Sequence, residues 1–179
     1  MGVFALALSA RPDLSWRDIQ HLCVKTARVV NPTDPDWEVT ANGRLYSNKF
    51  GFGKLDAYDF VTAAKAWELV KPQAWLELPP IQLGGGTMDA EGNMRGGEPI
   101  TPNGVSSSLV ITEELLKDAN FEGLEHVTVE VWISHTVRGH VEVELVSPNG
   151  LRSILAKKRP KDQHDTGFPG WKFMTVKHW

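Results

Sequence analysis

The hydrophobic pattern changes period once, near Pro72, and no single regular architecture accommodates both halves. Between Pro12 and Lys71 the apolar residues recur at helical spacing: Ile19, Leu22, Cys23, Thr26, Ala27 and Val30 form one stripe, and Ala57, Phe60, Val61, Ala64 and Trp67 form a second. Beyond Pro72 they alternate, so that Val127, Val129, Val131 and Ile133 share one side of an extended segment and Thr128, Glu130, Trp132 and Ser134 the other. A stripe of period 3.6 buries against another helix and a face of period 2 against another sheet. The first half is therefore expected to be helical and the second a β layer.

Local signals place the elements. Ser15 followed by Asp18 has capping-box spacing and predicts a helix from about Ser15 to Arg28, which Pro32 and Pro35 stop. The polar stretch from Asn31 to Arg44 reads as a loop, with a turn at Asn42-Gly43 before Leu45-Tyr46. Gly51 and Gly53 permit a close backbone approach, and Asp56 is placed to cap the next helix. The apolar segment from Gly2 to Ala10 reads as a buried helix. It lacks the basic n-region of a secretory signal, and Leu6 stands where myristoylation wants Ser or Thr. In the second half, strands are expected over 74–78, 109–112, 127–134, 141–146, 153–156 and 173–176, with a long surface loop over 79–104. With no helix-length crossover between them, the strands predict an antiparallel sandwich.

Composition excludes several functions. A formal net charge of -3 over 179 residues gives no basic excess for nucleic-acid binding. The single cysteine, Cys23, forms no internal disulfide, and no apolar run approaches the roughly 20 residues that span a bilayer. His126, His135, His140, His164 and His178 lack metal-site spacing, and Asp89, Glu91 and Glu98 do not form a calcium loop by spacing. Gly84-Gly85-Gly86-Thr87 has no Gly-Lys-Ser/Thr after it and reads as a flexible loop. Lys157-Lys158-Arg159 looks like a dibasic cleavage site, but before Pro160 it reads as a solvated basic turn.

Two sets of residues carry a family resemblance. One comprises Leu124 to Val127, Arg138-Gly139, Leu145 to Pro148, Gly150, Arg152-Ser153, Leu155-Ala156, Arg159-Pro160, Asp162, Gly167-Phe168, Trp171 and Phe173-Met174. The other comprises Leu14 to Asp18, Gln20 to Leu22 and Gly51 to Ala57. The first resembles the P (Homo B) domain of kexin/furin-like proprotein convertases, and the second resembles the end of the same enzymes' subtilisin-like catalytic domain.

The resemblance implies an α/β fragment over residues 1–71, the C-terminal helices of a subtilisin-like domain. Residues 72–179 would then be a jelly-roll-like antiparallel β-sandwich, an incomplete P domain. It implies a parent that is a calcium-dependent serine endopeptidase of the late secretory pathway, in the Golgi lumen, cutting secretory precursors after paired basic residues such as Lys-Arg. The catalytic Asp, His and Ser of that parent lie upstream in chain order and match no position here. Ser9 lacks the family's preceding Gly-Thr, and His21 beside Asp18 reads as a surface contact on one helix. No catalytic, cofactor-binding or metal residue is therefore assigned, and calcium is expected of the full-length enzyme at positions not identified in this chain. The chain is expected to hydrolyse nothing alone and to need the missing upstream segment as its intramolecular partner. Because further strands complete the P domain in relatives, the isolated chain is also expected to be unstable or to aggregate. His140 stands where several relatives have the Asp of Arg-Gly-Asp. The alternative is a free-standing β-sandwich binding module without catalysis. A small independent hydrolase would need a self-contained triad that the spacing does not offer.

Overall fold

The computed structural model describes residues 1–91 and 93–179; Gly92, within the expected 79–104 loop, lies outside the described residues. The chain divides into two compact units, Met1–Gln73 and Ala74–Trp179.

The first unit is built on three helices, α1 (Gly2–Ala10), α2 (Trp16–Thr26) and α3 (Ala57–Lys65). α2 starts with a complete capping box: the Ser15 side chain accepts from the Asp18 backbone N–H, and the Asp18 carboxylate accepts from the Ser15 backbone N–H. The expected stripe is the buried one. Leu22, Phe60 and Ala64 join Ala7 and Leu14 in a core flanked by Phe4, Ile19, Cys23, Val61 and Trp67. Phe4 packs on Phe60 with ring centroids 5.5 Å apart. Leu6 and Leu8 stay exposed, so α1 is only half buried within this unit. The Asn31–Arg44 stretch contains one element missed as loop: β1 (Glu38–Val39) pairs antiparallel with β2 (Leu45–Tyr46) around the Asn42-Gly43 turn. Gly53 makes the anticipated close approach. At φ 126° it passes the Arg28–Lys54 bridge so closely that a Cβ would sit 2.3 Å from the Arg28 carbonyl oxygen.

The second unit is mostly extended. The 79–104 segment is less plain a loop than its composition suggests. A 3₁₀ turn at Leu83–Gly85 leads into a short hairpin of β3 (Thr87–Met88) and β4 (Met94–Arg95). Asp89 holds that hairpin by accepting from the Asn93 backbone N–H at 2.7 Å and from Arg95 Nε at 3.1 Å, which lowers its pKa. A short helix, α4 (Glu113–Asp118), capped by Thr112, was not anticipated; its Glu113 and Glu114 suit a helix N-terminus. The remaining strands form two two-stranded antiparallel sheets. β5 (Val127–Ile133) pairs with β8 (Phe168–Thr175), and β6 (Val143–Val146) pairs with β7 (Arg152–Ala156). The predicted face is the inner one: Val131 and Ile133 pack with Val143 and Phe173 around buried Val141, Ala156 and Phe168. A bulge after Val131 sets Trp132 beside Gly170, where a Cβ would touch the indole at 3.2 Å. Two expected strands do not form. Residues 74–78 and 109–112 run without ladder partners, and Val110 and Trp75 are 78% and 74% exposed. Among the described residues the strands of the second unit pair as small two-stranded antiparallel sheets, with one buried cluster shared by the β5–β8 and β6–β7 pairs.

Candidate functional site

Ser9 lies on the exposed side of α1, and His21, half-buried on α2, sits 6.4 Å ring to ring from Trp67. Asp18 is 1% exposed and serves the fold. Its Oδ2 accepts from the Ser15 N–H at 2.8 Å, and its Oδ1 accepts from Trp67 Nε1 at 2.9 Å and the Val70 N–H at 2.8 Å. Burial pushes this carboxyl up, but the donors outweigh it and leave the pKa below the ordinary value. One carboxylate thus caps α2 and ties down the chain beyond α3. Among the described residues no group of three or more His, Cys, Asp or Glu side chains is placed to hold a metal ion.

The most organised side-chain cluster of the second unit surrounds Arg138 and Asp162. Arg138 enters Asp162 bidentately, Nε to Oδ2 at 2.8 Å and Nη2 to Oδ1 at 2.9 Å, and Arg159 adds Nη2 to Oδ2 at 3.0 Å. Both guanidinium groups cover aromatic rings, Arg138 lying 4.7 Å from the Trp171 centroid and Arg159 lying 5.7 Å from that of Phe168. The Arg138 side chain, then the Arg159 one, holds the Asp162 carboxyl well below the usual carboxylate range. The backbone locks the same loops together. Gly139 donates to the Asp162 carbonyl at 2.9 Å, and Arg159 donates to the Gly139 carbonyl at 2.7 Å. A Cβ on buried Gly139 would meet the Arg159 carbonyl oxygen at 2.0 Å. Arg138-Gly139 is therefore a structural dipeptide here, with the arginine spent on Asp162 and exposed His140 closing the 3₁₀ turn after it.

One pairing was not foreseen from the sequence. Ser153 Oγ lies 3.0 Å from both His178 Nε2 and Thr175 Oγ1, while Lys177 Nζ donates to the Arg152 carbonyl at 2.6 Å. No spacing rule brings residues 153 and 178 together; only the β7 and β8 strands do. The pair resembles a nucleophile and its base, but Ser153 is 5% and His178 7% exposed, so no substrate carbonyl reaches the hydroxyl. The charged neighbour of the imidazole is a lysine, and burial first, then Lys177, lowers the His178 pKa. The arrangement pins the end of β8 to β7. Lys157 and Lys158 are exposed, as the sequence suggested, whereas Arg159 is drawn into the Asp162 cluster. No helix of the described residues is long and apolar enough to cross a membrane.

The family model of the proprotein convertase P-domain matches residues 124–179, the segment that contains both clusters of the second unit. Over 99% of its length the chain is 46% identical to a dibasic-processing endoprotease of Schizosaccharomyces pombe and 40% identical to the kexin of Saccharomyces cerevisiae, covering 24% and 21% of those proteins. It is 36% identical to human proprotein convertase subtilisin/kexin type 6, of which it covers 17%. Among solved structures, a serine protease of Aeromonas sobria superposes with a TM-score of 0.64 at 21% identity, covering 99% of this chain and 33% of that one, a likeness of fold. The chain spans about a quarter or less of the curated relatives it matches. The chain thus carries the proprotein convertase P-domain over residues 124–179 and is similar, over nearly its whole length, to one segment of the kexin-type processing proteases.

Proposed function

We propose that this chain is a structural portion of a calcium-dependent, kexin-like serine endopeptidase that cuts secretory precursors after paired basic residues in the late secretory pathway, in the Golgi lumen. Residues 1–71 complete the catalytic domain, and residues 72–179 form the greater part of a P-domain β-sandwich. The parent works by an Asp-His-Ser mechanism in which Ser attacks the scissile carbonyl and His moves the proton. This portion contributes packing: the Asp18 node and the α1–α3 core on one side of Gln73, the Arg138–Asp162 cluster on the other. Calcium belongs to the full-length enzyme in this reading, at positions not assigned to residues of this chain.

The observation that carries this reading is the alignment of 99% of the chain with one segment of dibasic-processing proteases, with the P-domain match in its expected place. The test is a chimera. The chain alone should leave a Lys-Arg peptide uncut. The same residues, substituted for the matching segment of the Saccharomyces cerevisiae kexin, should restore calcium-dependent cleavage to the remainder of that enzyme. Cleavage by the chain alone, abolished by Ser9→Ala or His21→Ala, would overturn the proposal.

A further inference from the structure

The sequence Lys157-Lys158-Arg159-Pro160 presents two exposed lysines in an irregular segment after β7, yet its backbone is not free. The Arg159 N–H is donated to the Gly139 carbonyl at 2.7 Å, and the Arg159 carbonyl accepts the Asp162 N–H at 2.9 Å. The Arg159 side chain is held by the Asp162 carboxylate and lies against Phe168. An endoprotease binds its substrate as an extended strand whose backbone groups pair with the cleft. Here the N–H on the leaving side of the Lys158–Arg159 bond is already paired, and Gly139, where a Cβ would sit 2.0 Å from the Arg159 oxygen, leaves no gap for a second strand. At the next bond Pro160 fixes its own φ and has no N–H to offer.

We propose that Lys157-Lys158-Arg159 is a latent cleavage site for endoproteases that recognise paired basic residues, displayed on the surface but held uncleavable by the Arg159 clamp on Gly139 and Asp162. When the clamp opens, hydrolysis adds one water across the Lys158–Arg159 amide, leaving a carboxylate on Lys158 and an amine on Arg159. In a parent with the function proposed above, the loop would be a potential self-substrate, and the clamp would make cutting there a consequence of local unfolding.

The test uses an added protease, so it is independent of any activity of the parent. The 179-residue chain is incubated with the Saccharomyces cerevisiae kexin, and cleavage at Lys158–Arg159 is followed by intact mass against a free peptide of residues 153–164. The chain should be cut at that bond more than about tenfold more slowly than the peptide, because proteolysis follows the population of the opened state. Asp162→Asn, which discharges the clamp, should raise the rate at this bond selectively. If Asp162→Asn opens the fold and is cut at all basic sites alike, Arg159→Lys decides. It keeps the Arg138–Asp162 pair and the basic recognition sequence, loses the planar fork, and should still be cut faster than wild type. Wild-type cleavage as fast as the peptide, or an Arg159→Lys chain cut no faster than wild type, would overturn the proposal. Either result would leave the chimera experiment unaffected.

Discussion

Asp18 and Asp162 do the same job in two different environments. Each is one carboxylate that gathers groups from distant stretches of chain, and each lies below its ordinary pKa. Asp18 is 1% exposed, and its donors are a hydroxyl, an indole and two backbone amides, all neutral. Asp162 keeps 17% of its side-chain surface and faces two guanidinium groups. A helical unit can bring neutral donors to one point because a capping position already aims backbone N–H groups at it. A loop between strands has no such convergence, so charge and aromatic stacking hold Arg138, Arg159 and Asp162 together instead.

The sharpest way to break the contrast is Asp18→Ala. It strands Trp67 Nε1 and the Val70 N–H and removes the carboxylate half of the α2 capping box, a loss of about 2–4 kcal/mol from groups that each cost ~1–3. Denaturant unfolding should show a lower midpoint with unchanged slope. Gly139→Ala comes next, since the added methyl must displace the Arg159 carbonyl and with it the Asp162 loop; ~1–3 kcal/mol is expected for such overpacking. Salt separates the two carboxylates directly. Raising NaCl toward about 1 M should shrink the difference between wild type and Asp162→Asn in thermal melts, while leaving that between wild type and Asp18→Asn nearly constant.

Acid distinguishes the units by a different route. His178 has a folded pKa below its ordinary 6.5, so the unfolded chain binds the proton more readily. The stability tied to its neutral form is complete above that value and is lost as pH falls from there toward the lowered one. His178→Gln should therefore flatten the fall in melting temperature between pH 7.5 and pH 5.5. In the first unit, Asp36 is lowered from 3.8 to about 2 by hydrogen bonds from Ser47 and then Asn48, so its contribution persists above the ordinary value and is lost only as pH falls from there toward about 2. The smallest effect belongs to Arg28→Ala. This arginine is 59% exposed and pairs with Asp59 at 2.5 Å, a surface contact worth ~0–1 kcal/mol in denaturant midpoints.

What the residues disclosed on their own follows a physical line. The α2 cap, the Phe60 stripe and the Val131–Ile133 face were legible because capping boxes and periodicity are properties of neighbours in sequence. The 109–112 strand was misread for the same reason. Leu109, Val110 and Ile111 have strand chemistry, but a strand exists only when another backbone pairs with it, and among the described residues none does. The α4 helix hid behind that apolar run, although Thr112 and the two glutamates after it announced an N-terminus. Asp18 was recognised as a cap but not as the anchor of Trp67 and Val70, about 50 residues away, because nothing local reports where a chain returns.

The sequence by itself determined the resemblance to kexin-type proprotein convertases and the switch from helical to extended structure near Pro72, both carried by residue identity and short-range spacing. Only the tertiary structure decided that Arg138-Gly139 is scaffold tied to Asp162, that Ser153 meets His178, and that an exposed dibasic loop is clamped at Arg159. Those three depend on which strands and loops lie side by side, and that is settled by long-range backbone pairing and packing rather than by anything one stretch of chain can encode.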